Sequence, residues 1–261
     1  MTMSKKPLIL VTNDDGVTAP GIRNLIEVMK GLGEVVVVAP DSPQSGMGHA
    51  VTLNKPLRLD ELDIYPGIRA FQCNGTPVDC VKLAVDIVLD RKPDLLVSGI
   101  NHGSNSSINV IYSGTMSAAV EGAIEGISSI GFSLLDYAYK ANFAPILPFV
   151  HQIAKEVLAK KLPAGTLLNV NFPKVEDQRE IKGVKVCRQA LAKWKENFVE
   201  RTDPNGRQYF WMTGNFVNND KGEDTDEWAL ENGFVSVVPV QFDLTDHHQI
   251  PFLNSWDFHV Q

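Results

Sequence analysis

The segment Glu-Val-Val-Val-Val-Ala at residues 34–39 has no polar position after its first residue, and Pro40 ends it. A half-buried strand alternates apolar and polar residues. A strand apolar at every position is covered on both faces, which is the condition of a parallel sheet sandwiched between helices. Two similar runs accompany it, Leu-Ile-Leu-Val at 8–11 and Asp-Leu-Leu-Val-Ser at 94–98. Helix-like stretches lie between them. Residues 21–32 carry Ile22, Leu25, Ile26 and Met29 at helical spacing, and 77–89, 113–125 and 145–160 read the same way. Strand-like runs recur at 127–135 and 166–170. This alternation predicts a doubly wound α/β sheet with right-handed crossovers.

Residues 51–72 look extended and predict a hairpin or an insertion. Beyond residue 180 the pattern changes to strand-like segments at 183–188, 208–212 and 233–240, with Asp203-Pro204-Asn205-Gly206 as a strong turn signal. We expect a single α/β domain over 1–261, with a core of about residues 1–180 and a β-rich arm or subdomain of about 181–261. The arm is a candidate for oligomer contacts.

Composition limits the function. Twenty-four Lys and Arg stand against 31 Asp and Glu, a net charge of −7. Such a chain does not attract nucleic-acid polymers over long range. A small anionic substrate would need a local positive device. The start of the chain is basic, but the apolar run that follows is too short for a signal peptide. No stretch of about 18 apolar residues exists, so no membrane span is expected and a cytoplasmic protein is. Three cysteines, Cys73, Cys80 and Cys187, are too few for a disulfide framework and read as inert thiols.

The chemistry should lie in the polar loops that follow the apolar runs. Asn13-Asp14-Asp15-Gly16 follows the first, residues 41–49 with Ser45, Gly46 and His49 follow the second, and residues 98–105 with Asn101, His102 and Asn105 follow the third. In an open parallel sheet all three emerge at the carboxyl edge, where ligands bind at the reversal of strand order. Adjacent carboxylates repel by roughly 4 kcal/mol at ~4 Å and an effective dielectric of about 20, and a divalent cation relieves this. Alone, the Asp14–Asp15 pair reads equally as a helix cap and a turn residue. The neutral oxygens of Ser45 and Asn101 at the same edge complete an oxygen shell suited to a hard cation such as Mg²⁺ or Mn²⁺. Tyr112-Ser113-Gly114-Thr115 opens a helix with small hydroxylated residues, a ready anion site. His49 and His102 are candidate acids or bases. There is no GxxxxGK[ST] or GxGxxG motif. The two aspartates are adjacent, which argues against a haloacid-dehalogenase-type phosphatase, whose aspartates are one residue apart.

Taken together, these motifs resemble the SurE family, the stationary-phase survival protein E nucleotidases. The resemblance is carried by residues 10–16, Ala39-Pro40-Asp41 with Ser45-Gly46 and Gly48-His49, residues 75–81, 98–105 and 112–115. It continues through Asn169-Val170-Asn171-Phe172-Pro173, residues 203–207 and 225–237. It implies a Rossmann-like fold and one divalent metal ion per subunit held by Asp14, Asp15, Ser45 and Asn101. It implies metal-assisted, in-line hydrolysis of nucleoside 5′- and 3′-monophosphates, and in some members of short polyphosphate. It implies a homodimer or homotetramer with C-terminal segments exchanged between subunits. Asp14 and Asp15 are the expected catalytic pair, and Asn13, Gly46, Asn105, Ser113, Gly114 and Thr115 the expected phosphate contacts.

Overall fold

The structure, a computed structural model, describes residues 6–138 and 140–258. Residues 1–5, in the basic start of the chain, lie outside them.

The chain begins with strand β1 (Leu8–Thr12), helix α1 (Pro20–Lys30) and strand β2 (Glu34–Pro40). A hairpin of β3 (Leu59–Leu62) and β4 (Arg69–Cys73) follows, then α2 (Pro77–Leu83), β5 (Leu95–His102), the short α3 (Asn109–Tyr112) and α4 (Gly114–Ile124). Next come β6 (Ser129–Leu134), α5 (Leu147–Lys160), β7 (Thr166–Phe172) and β8 (Val184–Val186). The last elements are β9 (Ala192–Thr202), β10 (Gln208–Asn218), α6 (Asp226–Glu231), β11 (Val235–Gln241) and α7 (Ile250–Leu253).

Nine strands form one sheet in the order β3-β4-β2-β1-β5-β6-β7-β11-β8. From β4 to β7 every neighbouring pair is parallel. The extended region at 51–72 supplies the antiparallel edge hairpin β3–β4. Beyond residue 180 the chain divides in two. Strands β8 and β11 extend the main sheet, with β11 antiparallel to β7. Only β9 and β10 leave it, as an antiparallel ribbon paired from Ala192 to Thr202 around the turn at 203–206.

The unbroken apolar strands are covered on both sides. Ile9, Val11, Val35, Val37, Leu95 and Val97 face one core with α1 and α5, while Leu8, Leu10, Val36, Val38 and Leu96 face another with α2 and α4. The helix expected over 77–89 is α-helical only to Leu83 and continues as a π-helix over Ala84–Val88. It starts where the sequence says, because Thr76 and Asp79 form a capping box.

The strand order reverses beside β1. The chain runs outward through β2 and β4, then returns to place β5 on the other side of β1. The loops after β1 and β5 therefore flank one crevice. Two details shape that crevice. Gly21 on α1 lies so close to β5 that a Cβ there would meet the Ile100 carbonyl oxygen at 1.9 Å. The pairing of β5 with β6 also shifts register between Ser98 and Asn101, an irregularity of the kind that re-aims the side chains after it.

Candidate active site

A polar cavity of about 240 Å³ opens at this edge. Asp14, Ser45, Gly46, Asn101, Asn105 and Ser113 line it. Six of the residues expected from the sequence thus meet around one space, although they span a hundred positions. The loop that carries Ser45 is tied down at its root, where the Gln44 N–H donates to the Asp14 carbonyl at 2.7 Å.

Asp14 is the buried centre. The Thr115 hydroxyl donates to its Oδ1. Burial, the largest influence, pushes its carboxyl up to about 6; the Thr115 hydrogen bond pulls the other way and the Asp15 charge adds to the rise. Helix α4 comes up against it because residue 114 is glycine. A Cβ there would sit 2.7 Å from the Asp14 Cβ and 3.0 Å from its Oδ2. Ser113 caps α4 by accepting from the Met116 N–H at 3.0 Å. As first-turn groups, the N–H groups of Gly114 and Thr115 have no acceptor within the helix; of this turn, the cap residue Ser113 lines the cavity.

Asp15 is placed differently. It lines an adjoining cavity of about 410 Å³ and pairs with His102, whose Nδ1 lies 3.3 Å from Asp15 Oδ2. His102 and Tyr137 line both cavities. His102 Nε2 is buried and has no hydrogen-bond partner among the described residues. The other histidine singled out in the sequence, His49, lines neither cavity; its Nε2 lies 2.9 Å from Glu121 Oε2.

Three expected phosphate contacts sit behind the surface. Thr115 and Gly114 do not line the cavity, and the Thr115 hydroxyl is committed to Asp14. Asn13 donates its amide to the Gly16 carbonyl at 2.9 Å, and its Oδ1 is buried without a partner among the described residues. Asn105 does line the cavity and is held by a network. Its amide donates to Ser133 Oγ at 2.8 Å, its N–H to Asn171 Oδ1 at 2.8 Å, and its carbonyl accepts from Asn169 at 2.8 Å. Asn171 donates to Asn169 in turn, at 2.8 Å. The Asn-Val-Asn spacing on β7 puts both amides on one face of the strand, a signal legible as period two.

The donors fit a hard divalent cation. Asn101 donates its amide N–H to the Gly103 carbonyl at 2.8 Å, which leaves its oxygen as the free donor atom. Among the described residues no three His, Cys, Asp or Glu side chains gather as a metal site. Asp14, Ser45 and Asn101 line the polar cavity and Asp15 the adjoining one, a set of oxygen donors that suits a hard cation rather than a thiolate-loving metal. The three cysteines are free, buried thiols elsewhere.

Sequence reasoning missed the rim of the site. Tyr112 and Trp194 line the cavity mouth. Tyr112 heads the motif at 112–115, but the expected contacts are only the three residues after it. Trp194 arrives on the β9–β10 ribbon and carries no local signal.

Known proteins share this sequence and fold. Residues 9–196 match the family described as Survival protein SurE. A protein of Flavobacterium psychrophilum named 5′-nucleotidase SurE is 64% identical over 253 residues, covering 97% of this chain and 98% of that protein. One of the same name from Christiangramia forsetii is 65% identical over 254 residues, with 97% of each chain covered. A crystal structure of the SurE protein from Aquifex aeolicus superposes with a TM-score of 0.82 at 41% identity, over 95% of this chain and 98% of that one. On this match of sequence and fold, the chain belongs to the SurE family.

Proposed function

We propose that this chain is a metal-dependent phosphomonoesterase that hydrolyses nucleoside 5′- and 3′-monophosphates to nucleoside and phosphate, with short polyphosphate as a further substrate. One observation carries the reading. A buried carboxylate with a raised pKa, Asp14, faces a polar cavity beside the N-terminus of α4, at the point where the strand order reverses. The relatives' name, 5′-nucleotidase SurE, supports the 5′ activity.

Asp14, Asp15, Ser45 and Asn101 would hold one divalent ion, Mg²⁺ or Mn²⁺. Bound there, the ion would supply Lewis-acid stabilisation of phosphoryl oxygen and a more acidic water. The first-turn N–H groups of α4, with Ser113 and Asn105, hold the remaining phosphoryl oxygens and offset charge as the bond to the nucleoside oxygen breaks. Gly46 lets the loop backbone approach the phosphate. Water adds to phosphorus in line, and the departing nucleoside oxygen takes up a proton. His102, which lines the cavity and has Nδ1 beside Asp15, is the histidine this reading assigns to that proton transfer.

The same reading includes a homodimer or homotetramer. The exposed aromatic residues of the ribbon, Phe198, Phe210 and Trp211 among them, support it. It includes neither a nucleic-acid polymer nor a membrane as partner. Among the described residues no helix is long and apolar enough to cross a membrane. Action in the cytoplasm, on its mononucleotides, is part of the proposal.

Phosphate release from 5′-AMP, 3′-AMP and tripolyphosphate tests it, in EDTA and after Mg²⁺ or Mn²⁺ is restored. Release is expected only with metal. No release from either nucleotide with either ion overturns the reading, and light scattering that finds only monomer removes the oligomer from it.

A further inference from the structure

A second cavity adjoins the polar one across two aromatic residues. Tyr112 and Trp194 line both. The second cavity, about 450 Å³, is completed by Glu196, Met212, Thr213 and Gly214. The two spaces differ in chemistry. The inner one is walled by carboxylate, amide and hydroxyl groups and a helix N-terminus. The outer one offers two rings and a thioether.

Both rings are displayed, and that of Trp194 is held. Tyr112 is 54% exposed and Trp194 40%. The Trp194 indole N–H donates to Asn109 Oδ1 at 2.8 Å, and the ring packs edge-on against Phe216 with centroids 5.6 Å apart. Asn109 opens α3 and Tyr112 closes it, so one helical turn fixes both rings relative to Ser113 and the start of α4. The Tyr112 carbonyl also accepts from the Gly48 N–H at 3.2 Å, which ties the Ser45 loop to the same frame. An exposed ring held by a hydrogen bond and a ring contact is preorganised for stacking, since little side-chain freedom is left to lose.

The charge of the outer space selects its occupant. Among the described residues that line it, the ionisable groups are the Glu196 carboxylate and the Tyr112 phenol, and none is a cation. A second phosphate would be repelled. A neutral, flat ring would not be, and an exocyclic amino group could donate to Glu196. A nucleoside monophosphate divides in just this way, with an anionic end and a neutral π end joined by a sugar.

We propose that Tyr112 and Trp194 form the nucleobase platform of this site and that it favours purines, whose larger π-face gains more from stacking. This rests on the phosphomonoesterase reading above and names the part of the substrate that reading leaves open. Stacking of one base on an aromatic side chain is worth about ten- to a hundredfold in affinity.

The test compares kcat/KM for AMP, CMP and ribose 5-phosphate, which has the phosphate and sugar but no base, in the full-length metal-loaded enzyme. Wild type is expected to prefer AMP over CMP and both over ribose 5-phosphate. Trp194→Ala and Tyr112→Ala should each lower the ratio of AMP to ribose 5-phosphate about tenfold or more, mainly through KM, and Trp194→Phe should recover most of it. If the ratio stays constant in both alanine variants, or AMP and ribose 5-phosphate decline together, the platform is overturned. A wild type that releases phosphate from none of the three sinks the phosphatase reading instead. The platform is then judged by AMP binding alone, and unchanged affinity in Trp194→Ala overturns it.

Discussion

The Thr115 hydroxyl donates a hydrogen bond to the Asp14 carboxylate, across 101 residues of chain. The bond joins the first turn of α4 to the loop after β1. Because it favours the charged form, it works against the burial that raises Asp14 to about 6. Thr115→Val should therefore move the Asp14 titration to higher pH in EDTA-treated protein, as read by carboxyl NMR; an unchanged or lower midpoint contradicts this.

The same raised pKa carries a cost in stability. A carboxyl whose folded pKa lies above its ordinary value of 3.8 stabilises the fold fully below that pH, and the contribution is lost as pH rises through about 6. At pH 8 the metal-free wild type has lost a contribution of about 3 kcal/mol. In EDTA at pH 8, Asp14→Asn should resist urea better than wild type, by up to that amount, while phosphate release disappears in both Asp14→Asn and Asp15→Asn. An Asp14→Asn protein less stable than wild type at pH 8 would count against the buried-charge argument.

Gly114 permits the approach of α4 to Asp14. A methyl group placed 2.7 Å from the Asp14 Cβ forces helix and loop apart. Gly114→Ala should cost about 1–3 kcal/mol in thermal unfolding, the usual range for overpacking. Its larger effect should be on turnover, with kcat reduced on the order of a hundredfold because a shift of about 1 Å disrupts the site geometry. A variant with wild-type kcat would show that the contact is relieved without consequence.

Glu121, deep in α4, ties His49 and Lys82 to the helix. Burial alone would raise its carboxyl, but the hydrogen bonds from His49 and Lys82 and the Lys82 charge hold it below the ordinary glutamate value of 4.5. Its contribution is thus present above pH 4.5 and lost as pH falls below that towards its folded pKa. Glu121→Gln should destabilise the protein by about 2 kcal/mol at pH 7, with both partners half-exposed and the effect moderated accordingly. The deficit should shrink in denaturation at pH 4; a deficit independent of pH would locate the effect in packing instead.

Asp226 braces the loop that leads to Asn105 and α3. Its carboxylate accepts from the backbone N–H groups of Ser107, Ala190 and Glu227 at 2.8, 2.9 and 2.9 Å. Asp226→Ala orphans these donors and should cost roughly 3 kcal/mol or more in urea unfolding. Activity should decline with it, because Asn105 and Asn109 lie on the braced segment. Full turnover in a folded Asp226→Ala enzyme would disconnect that brace from the site.

Much of this was legible along the chain. Runs such as residues 34–39 bury both faces of a strand wherever the chain places them, so the covered parallel sheet follows from local composition. The loops after those runs hold Asp14, Ser45, Asn101 and Asn105, and a parallel sheet delivers loops of that kind to one rim. The sequence did not reveal that β8 and β11 join the main sheet while β9 and β10 leave it, because strand pairing is set by partners distant in sequence. Nor did it reveal that the Thr115 hydroxyl serves Asp14, or that Asp15 turns to His102. Trp194 lines the cavity from a distant ribbon, held there by its hydrogen bond to Asn109 of α3. Periodicity and turn chemistry act over a few residues and fixed the elements and the candidate donors. Which donors share a space, which are committed to each other, and which aromatic rings close over them depended on contacts spanning roughly a hundred positions, and only packing decides those.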